Sequence, residues 1–281
     1  MSGLRISAIS FLNTAPLMWD FEHSDAGRDF QVEYTVPSAC ADALAANQAD
    51  IGIIPAFTYA KIPGLVILPE IAIAAKDRVR SILLVSKTPI EEVRTVATDS
   101  SSRTSVALLQ VLFAKFLGGA RQLTAFPPQL EAMLHHNDAA LLIGDAALLV
   151  PGNCGYHLYD LAHEWRERTG KPFVFAFWAV RRASLSDRTD QENLAEVFQR
   201  SRNNGLQPHN IMSIASQWSA KLRLEPDDIR DYLTTNIHYW LDAENHAGLQ
   251  LFFQYSHEIG LIPRVPQLEF LVPARVGGSH K

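Results

Sequence analysis

Short apolar runs and helix-like stretches alternate along the first part of the chain. The spacing of apolar positions predicts strands at Leu4–Ile9 and Phe30–Val36, and a buried strand in "ADIGIIP" that ends at Pro55. Between the last two strands, an Ala-rich stretch predicts a helix from about Ala39 to Gln48, with Ser38 as its N-cap. Strand, helix and strand in this order are typical of a parallel, doubly wound sheet.

The same alternation continues through the middle of the chain. Val79–Lys87 predicts another strand, and Thr95–Ala97 a short one. Apolar positions between Val106 and Phe116 fall on one helical face, and Gly118–Gly119 ends that helix. The run "AALLIGDAALLV" predicts a buried strand with a turn at Gly144–Asp145.

Two apolar strands, Ser81–Ser86 and Phe173–Val180, flank a self-contained α/β block. We expect them to connect two lobes: an inserted lobe of residues 88–175, and a discontinuous lobe of residues 1–85 and 180–281. This arrangement is similar to the type II periplasmic-binding-protein architecture. The predicted fold class is therefore α/β and two-lobed, with a ligand cleft between the lobes where helix N-termini point inward.

Composition limits the classes of partner. The chain has 281 residues, of which 47% are hydrophobic, so it is long enough for two lobes with sizeable cores. Its formal net charge is −5, which provides no basic field to hold nucleic acid. No stretch approaches the roughly 20 apolar residues that span a bilayer, so we expect no membrane contact.

Cysteine usage and the N-terminal residues predict a cytoplasmic protein. Cys40 and Cys154 lie far apart and form no CxxC pair, so neither a disulfide framework nor a zinc site is predicted. The N-terminal apolar run is interrupted by Ser7, Ser10 and Asn13, which is typical of a first strand rather than a signal peptide.

Familiar cofactor and catalytic motifs do not occur in the sequence. Neither GxxxxGK[ST] nor a GxGxxG after a strand is found, so no nucleotide cofactor is predicted. The chain also contains no HExxH and no GxSxG. We therefore predict neither a metal site nor a cofactor.

The stretch "DSSSRTSVALLQVLFAKF" puts hydroxyl side chains and one arginine directly before an apolar helix. Ser101 and Ser102 precede the helix, and Arg103, Thr104 and Ser105 occupy its predicted first turn. The unpaired N–H groups of a helix N-terminus carry partial positive charge. With hydroxyl and guanidinium donors added, this end can hold a carboxylate or phosphate. The alternative is an ordinary serine cap beside a solvated arginine.

Further candidate residues lie at the ends of predicted strands. Asn13 lies just beyond the first strand, where open α/β sheets bind ligands, or it forms an Asx turn. The Ser81 hydroxyl needs a partner, either the ligand or the backbone. Gly144 and Asp145 follow a buried run, and the acid either orients a ligand hydroxyl or caps a helix. Ser38 is a further substrate contact or, as favoured above, a plain cap.

Five segments spread along the chain carry a family resemblance. They are "ISAISFLNTAPL", "QADIGIIPAFTY", "VRSILLVSKTPIEEVRTVATDSSSRTSVALLQVLFAKF", "AALLIGDAAL" and "GLQLFFQYSHEIGLI". In order and spacing they resemble the chorismate dehydratases of the futalosine route to menaquinone, over most of the chain. A sister enzyme on the same fold, 1,4-dihydroxy-6-naphthoate synthase, usually has a different first loop, and "FLNT" favours the dehydratase.

The resemblance implies a lyase that takes the dianion chorismate to 3-[(1-carboxyvinyl)oxy]benzoate and water without a cofactor. Loss of the C3 proton and the C4 hydroxyl makes the ring aromatic. The helix end from Ser101 to Ser105 would then hold a substrate carboxylate, while Asn13 and Ser81 would bond the departing hydroxyl or orient the ring. The base would be Asp145 or the substrate's own enolpyruvyl carboxylate.

A second class of function is compatible with the same fold. A solute-binding protein or sensor lobe would capture a small anion and catalyse nothing, since function lies in sites rather than folds. Against it, the sequence shows no export signal, no lipobox-type cysteine near its start and no appended helix-turn-helix. Turnover of chorismate separates these interpretations, and the oligomeric state is left open.

Overall fold

The computed structural model describes residues 3–185 and 188–271. In these ranges the apolar runs form ten strands: β1 Leu4–Ile9, β2 Phe30–Thr35, β3 Ile51–Pro55, β4 Leu65–Ala75, β5 Ile82–Ser86, β6 Thr95–Asp99, β7 Gln122–Phe126, β8 Ala139–Ile143, β9 His157–Asp160 and β10 Phe173–Arg181. The α-helices of the same ranges are α1 Trp19–His23, α2 Pro37–Ala45, α3 Ala56–Tyr59, α4 Thr104–Phe116, α5 Leu130–His136, α6 Gly144–Leu148, α7 Leu161–Thr169, α8 Arg188–Gly205, α9 Pro208–Leu222, α10 Pro226–Asp231 and α11 Ala243–Glu258. Leu12–Met18, Asp25–Asp29 and Arg182–Ser184 are 3₁₀ helices, and Tyr232–Asn236 is a π-helix.

The strands form two five-stranded sheets that have the same topology. Their orders are β2-β1-β3-β10-β4 and β7-β6-β8-β5-β9. In each sheet the first three strands are parallel, and the fourth runs antiparallel to both of its neighbours. This confirms the predicted two-lobed α/β fold class. It also brings the loops that follow the parallel strands to one edge of each sheet, where ligands of such sheets bind.

The chain passes between the sheets just before β5 and just before β10. Strand β5 pairs only within the second sheet and β10 only within the first, so the passages lie at residues 76–81 and 170–172. Both strands are almost entirely buried, and burial alone does not indicate which sheet a strand joins. The division into one lobe of residues 1–85 with 180–281 and another of residues 88–175 remains a prediction. The strands at its two boundaries each pair within one sheet: β5 in the second sheet and β10 in the first.

Three aromatic side chains pack together behind the passages between the sheets. Trp165 of α7 and Phe252 of α11 are fully buried, and each packs its ring edge-on against Phe173 of β10, at centroid distances of 5.5 and 5.0 Å. Large aromatic rings contribute strongly to core stability. The three rings thus connect α7, which follows strand β9 of the second sheet, with α11 and with strand β10 of the first sheet.

Helix starts differ from the sequence expectation in one informative place. The predicted Ser38 cap is wrong, because α2 begins two residues earlier, with Val36 at the N-cap position and Pro37 as the first helical residue. Proline suits that position, since its φ is already helical and it lacks an N–H that would otherwise be unpaired. The run after β8 also differs: it forms the short helix α6 rather than continuing as a strand.

Across residues 3–185 and 188–271, every helix falls short of the length and apolarity that a bilayer crossing requires.

Candidate active site

A cavity that is partly open to solvent lies where the two sheets face each other. The wall is mostly apolar and draws on both sheets: Ile9, Phe11, Asn13, Pro37, Pro55, Ile73, Ile82, Ser102, Arg103, Thr104, Ser105, Ile143, Gly144, Phe175 and Ala176. Of the predicted site residues, those outside this wall are Ser38, Ser81, Ser101 and Asp145.

Four helices begin at the cavity. Pro37 is the first residue of α2, Thr104 of α4 and Gly144 of α6, and Pro55 directly precedes α3. The first N–H groups of a helix have no partner within the helix and carry partial positive charge. In α2 the first residue, Pro37, has no N–H and the N–H of Ser38 is already bonded to a backbone carbonyl, so the start of α4 is the helix end best placed to offer donors to an anion.

The hydroxyl residues at the start of α4 lie in two different environments. Arg103 takes the N-cap position, but its side chain makes no capping bond. Ser101 is bonded to Asp99 instead of lining the cavity: its N–H and its hydroxyl both donate to Asp99 Oδ1, at 2.8 and 2.7 Å. This is an Asx turn, which sets the direction in which the chain enters the helix. The hydroxyl residues in the cavity wall are Ser102, Thr104 and Ser105.

Two side chains of α4 also bind the helices of the first sheet. The Nη2 of Arg103 donates to both carboxylate oxygens of Asp42 in α2, at 2.7 Å each. The N–H of Phe57 in α3 donates to Thr104 Oγ1 at 3.1 Å. Arg103, predicted as an anion ligand, is therefore paired with a carboxylate at the rim of the cavity, and α4 is tied to the opposite lobe.

The backbone of Ser38 makes a third contact between the lobes. Its N–H donates to the carbonyl oxygen of Ser101 at 3.1 Å. Since the side chain of Ser38 is neither a cap nor part of the cavity wall, the predicted substrate contact has no support from its position.

Asn13 lies on the wall opposite α4, in the 3₁₀ helix that follows β1. It is only 8% exposed and lines the cavity, beyond the carboxyl end of β1 where the sequence analysis puts it. Its Oδ1 accepts a hydrogen bond from the Thr14 hydroxyl at 3.4 Å. The two amide N–H donors are thus left for a ligand or for other neighbours.

Behind Asn13 lies a residue that the sequence analysis missed. Tyr232, 1% exposed, donates its hydroxyl hydrogen to Ser81 Oγ at 2.8 Å. Burial raises the pKa of Tyr232 above its ordinary value, because a buried phenolate would lose its hydration. Ser81 is fully buried, so its hydroxyl meets this side chain rather than the cavity. The two residues are 151 positions apart, and no local pattern links them.

Gly144 fits against the ring of Phe11 from the first lobe. Its φ is +58°, and a Cβ at this position would lie 2.6 Å from Phe11 Cδ2 and Cε2. Both the left-handed backbone and the close approach favour glycine. Gly144 therefore contributes by letting the two lobes meet closely at the cavity.

Asp145 makes a further contact across the cleft. Its Oδ1 accepts the N–H of Leu12 at 3.0 Å. Burial raises the pKa of Asp145 above its ordinary value, and the Leu12 N–H and the charge of Lys221 oppose that shift. Asp145 is half-buried, and the group bonded to it is the N–H of the first residue of the 3₁₀ helix that follows β1.

The chemistry that the wall can support follows from its residues. Among the described residues that line the cavity, Arg103 is the only one with an ionisable side chain. In the part of the chain that the structure describes, no three His, Cys, Asp or Glu side chains are grouped to hold a metal ion. The wall can attract an anion and orient a polar group, and it presents no carboxylate or imidazole that would take a proton.

Sequence comparisons point to one family. Residues 4–258 match the family model described as menaquinone biosynthesis. The chorismate dehydratase of Thermus thermophilus is 30% identical over 259 residues, which cover 86% of this chain and 91% of that protein. The chorismate dehydratase of Campylobacter jejuni is 27% identical over 194 residues, which cover 68% of this chain and 69% of that protein.

Solved structures share the fold at low sequence identity. A protein of Archaeoglobus fulgidus superposes with a TM-score of 0.72 at 17% identity, covering 92% of this chain and 98% of that one. The periplasmic aliphatic sulphonate-binding protein of Escherichia coli gives a TM-score of 0.62 at 17% identity, covering 100% and 98%. These similarities show a periplasmic-binding-protein-like fold.

Proposed function

This chain belongs to the menaquinone biosynthesis family, and we propose that it is a chorismate dehydratase, a lyase that converts chorismate into 3-[(1-carboxyvinyl)oxy]benzoate and water. Two relatives with that name support the proposal. The observation that carries it within the structure is the cavity between the lobes. There, the N-terminus of α4, which is suited to a carboxylate, and a buried amide suited to a hydroxyl group line the same cavity.

The start of α4 is the proposed seat of the ring carboxylate. Chorismate carries two carboxylates, one on the ring and one on the enolpyruvyl ether at C3. When the C3 proton leaves, negative charge spreads through the diene onto the ring carboxylate. Fixed donors at that position stabilise the charge as it develops, and the Thr104–Ser105 turn, with Ser102 beside it, supplies them.

The enolpyruvyl carboxylate is the proposed base. No lining residue in the described part of the chain other than Arg103 is ionisable, and Asp145 is outside the wall with one oxygen bonded to the N–H of Leu12. The substrate's carboxylate hangs on the ether oxygen of C3, so a folded-back conformation brings it to the C3 hydrogen. Catalysis then comes mainly from holding the substrate in that conformation. We assign Asp145 to joining the lobes.

The wall opposite α4 is the proposed site of hydroxyl departure. The C3–H bond breaks and its proton passes to the enolpyruvyl carboxylate. The electron pair then forms a ring double bond as the C4–O bond breaks, and the departing hydroxide takes this proton from the enolpyruvyl carboxyl group and leaves as water. Asn13 is the lining residue that offers an amide to the C4 hydroxyl. Cytoplasmic location, with this small dianion as the partner, is part of the same proposal.

The proposal is tested by incubating the protein with chorismate and following the products by proton NMR and mass spectrometry. We expect a product lighter than chorismate by one water, with the aromatic signals of a 1,3-disubstituted ring. Heat-denatured protein controls for spontaneous decay of chorismate. Binding of chorismate without turnover would favour the solute-binding alternative. Turnover of cyclic dehypoxanthine futalosine instead of chorismate would favour the sister enzyme.

A further inference from the structure

Two helices of the first lobe begin without a capping side chain of their own. Val36 is the N-cap residue of α2 and Pro55 that of α3, and neither makes a side-chain cap bond. An N-cap side chain ordinarily accepts the N–H of the second or third helical residue. The second residues of α2 and α3 are Ser38 and Phe57, so their N–H groups need an acceptor from elsewhere in the fold.

The segment that enters α4 supplies both acceptors from the opposite lobe. The N–H of Ser38 donates to the carbonyl oxygen of Ser101 at 3.1 Å, and the N–H of Phe57 donates to Thr104 Oγ1 at 3.1 Å. Residues 101–104 therefore cap two helices across the cleft, and these bonds exist only while the lobes lie close together. Of the two acceptors, Thr104 is the one that uses its side chain, and it also belongs to the cavity wall.

The hydroxyl of Thr104 keeps one hydrogen that it can donate. Its oxygen accepts from Phe57, and its own hydrogen has no acceptor among the residues that the structure describes. Thr104 is only 3% exposed, so little water can take the place of an acceptor. A buried donor without a partner costs free energy, which indicates that the acceptor arrives with the ligand.

Ser105, the next residue of α4, shows the same deficit. It is also 3% exposed and lines the same cavity, and its hydroxyl makes no hydrogen bond within the described part of the chain. Unlike Thr104, its side chain is not bonded to the first lobe. Two adjacent buried hydroxyls, beside the unpaired N–H groups of a helix N-terminus, suit an acceptor that has two oxygens and a negative charge, as a carboxylate does.

We infer that Thr104 couples capture of the substrate carboxylate to closure of the two lobes: its hydroxyl donates to the carboxylate while the same oxygen accepts the N–H of Phe57 from the opposite lobe. The inference rests on the proposed function, in which the ring carboxylate binds at this turn. Hydrogen bonds in a chain strengthen one another where water is excluded, so a bound carboxylate makes the hydroxyl oxygen a better acceptor for Phe57. By linkage, the bond between the lobes raises the affinity for the carboxylate by the same factor.

Four variants separate this coupling from a merely structural role. Thr104→Val removes the hydroxyl and keeps the branched shape, whereas Thr104→Ser keeps the hydroxyl. Ser105→Ala removes a hydroxyl that lines the cavity and is not bonded to the first lobe. Thr98→Val is the matched control, because Thr98 is a threonine of the same lobe that is 5% exposed and lies outside the cavity wall. Its hydroxyl makes one long bond, 3.5 Å, to the carbonyl oxygen of Thr124 in the neighbouring strand β7.

The test measures kcat and KM for chorismate, the Kd for the product by calorimetry, and hydrogen exchange of the Phe57 amide by NMR with and without product. The product keeps the ring carboxylate and is not consumed during the measurement. In the wild type, saturating product should slow exchange of the Phe57 amide about tenfold or more. Thr104→Val should abolish this slowing and raise the Kd about tenfold to a hundredfold, the range of a hydrogen bond to a charged group.

The other variants should fall on either side of this result. Thr104→Ser should restore the slowing of Phe57 exchange and most of the affinity. Ser105→Ala should raise the Kd and still show the slowing once it is saturated with product, because its bond between the lobes is intact. Thr98→Val should match the wild type in all of these measurements.

The outcomes distinguish the coupling from the proposed function. A wild-type Kd in Thr104→Val, or slowed Phe57 exchange in that variant at saturation, would overturn the inference and leave the proposed function intact. If the wild type binds chorismate without turning it over, the proposed function is wrong, and exchange measured with chorismate itself decides the coupling. If the wild type binds neither compound, both are wrong. If Thr104→Val fails to fold, Thr104→Ala, with its smaller side chain, provides the same comparison.

Discussion

The two walls of the cavity are held in different ways. Behind Asn13, which is 8% exposed, lie the fully buried Ser81 and Tyr232. The wall at α4 is tied at its rim by Arg103 and Asp42, whose side chains are 35% and 63% exposed. Buried hydrogen bonds hold a group in one orientation. An exposed ion pair contributes only about 0 to 1 kcal/mol and weakens in salt.

This difference separates two tasks of a dehydratase. Breaking the C4–O bond depends on the direction of a donor, which the Asn13 wall can fix. Capturing a dianion depends on attraction, which a helix N-terminus provides over a range of positions. We therefore expect damage to the Asn13 wall to lower turnover and damage to the α4 wall to lower affinity.

The largest effect is expected from Asn13→Ala. Removing one donor that faces developing charge lowers kcat about a hundredfold or more, while the Kd for chorismate should change little. Steady-state rates and calorimetry check this, and thermal unfolding controls for damage to the fold. A raised Kd with wild-type kcat would show that Asn13 contributes to substrate binding rather than to turnover. The two walls would then not differ in function.

Gly144→Ala tests whether the walls must meet closely. The new Cβ would lie 2.6 Å from the Phe11 ring at a φ of +58°, so we expect weaker binding of chorismate and a lower Tm. Gly118→Ala is the matched control, because its φ is +81° and nothing lies within 4 Å of the added atom. It carries only the backbone strain, about 1 to 2 kcal/mol. If the two variants bind chorismate equally well, the close approach of Gly144 to Phe11 does not contribute to substrate binding.

Arg103→Ala compared with Asp42→Ala shows what the rim arginine does. If Arg103 acts by tying the lobes together, both variants should weaken chorismate binding by a similar factor of up to about fivefold, the range of an exposed ion pair. High salt should reduce the difference from the wild type. A Kd that rises for Arg103→Ala and stays at the wild-type value for Asp42→Ala would instead make Arg103 a direct ligand of the substrate.

The smallest effect concerns pH and the contact of Asp145 with Leu12. Burial raises the pKa of Asp145 above 3.8, so just above that pH the folded chain binds more protons than the unfolded chain. The free energy of unfolding should therefore fall as pH rises from 3.8 through the raised pKa, and level off above it. Other carboxyl groups, such as Asp50 and Asp242, have lowered pKa values and act in the opposite direction, so the contribution of Asp145 is isolated by comparison: the free energy of unfolding of the wild type minus that of Asp145→Asn should fall over this pH range in urea titrations. Parallel curves would mean that Asp145 titrates alike in both states.

Much of the fold could be predicted from local patterns. The bounds of β1 agree with the expectation, because they depend on the pattern of neighbouring residues. Strand β4, Leu65–Ala75, was not predicted, since Pro69 and Glu70 interrupt its pattern. Glu70 has a φ of +64°, and the guanidinium of Arg202 bonds to its carbonyl oxygen. That support comes from a distant helix, so no local pattern could have indicated it.

The candidate site, like the fold, could be predicted only where it depends on local sequence. The start of α4 and the place of Asn13 follow from helix and strand ends, which the sequence marks with serines and with the end of an apolar run. Tyr232 and the Leu12 contact of Asp145 depend on segments that meet only in the folded chain. Ser38 illustrates the limit of a residue-type rule, since Pro37 displaces it from the cap position.

The most direct test of the two-wall account is a crystal structure of Asn13→Ala with chorismate bound, since slow turnover should preserve the substrate. We expect the ring carboxylate at the backbone N–H groups of Thr104 and Ser105, with the C4 hydroxyl facing the space left by the Asn13 amide. The enolpyruvyl carboxylate should be folded back toward the C3 hydrogen. A substrate turned with its C4 hydroxyl toward α4, or bound outside this cavity, would contradict the account.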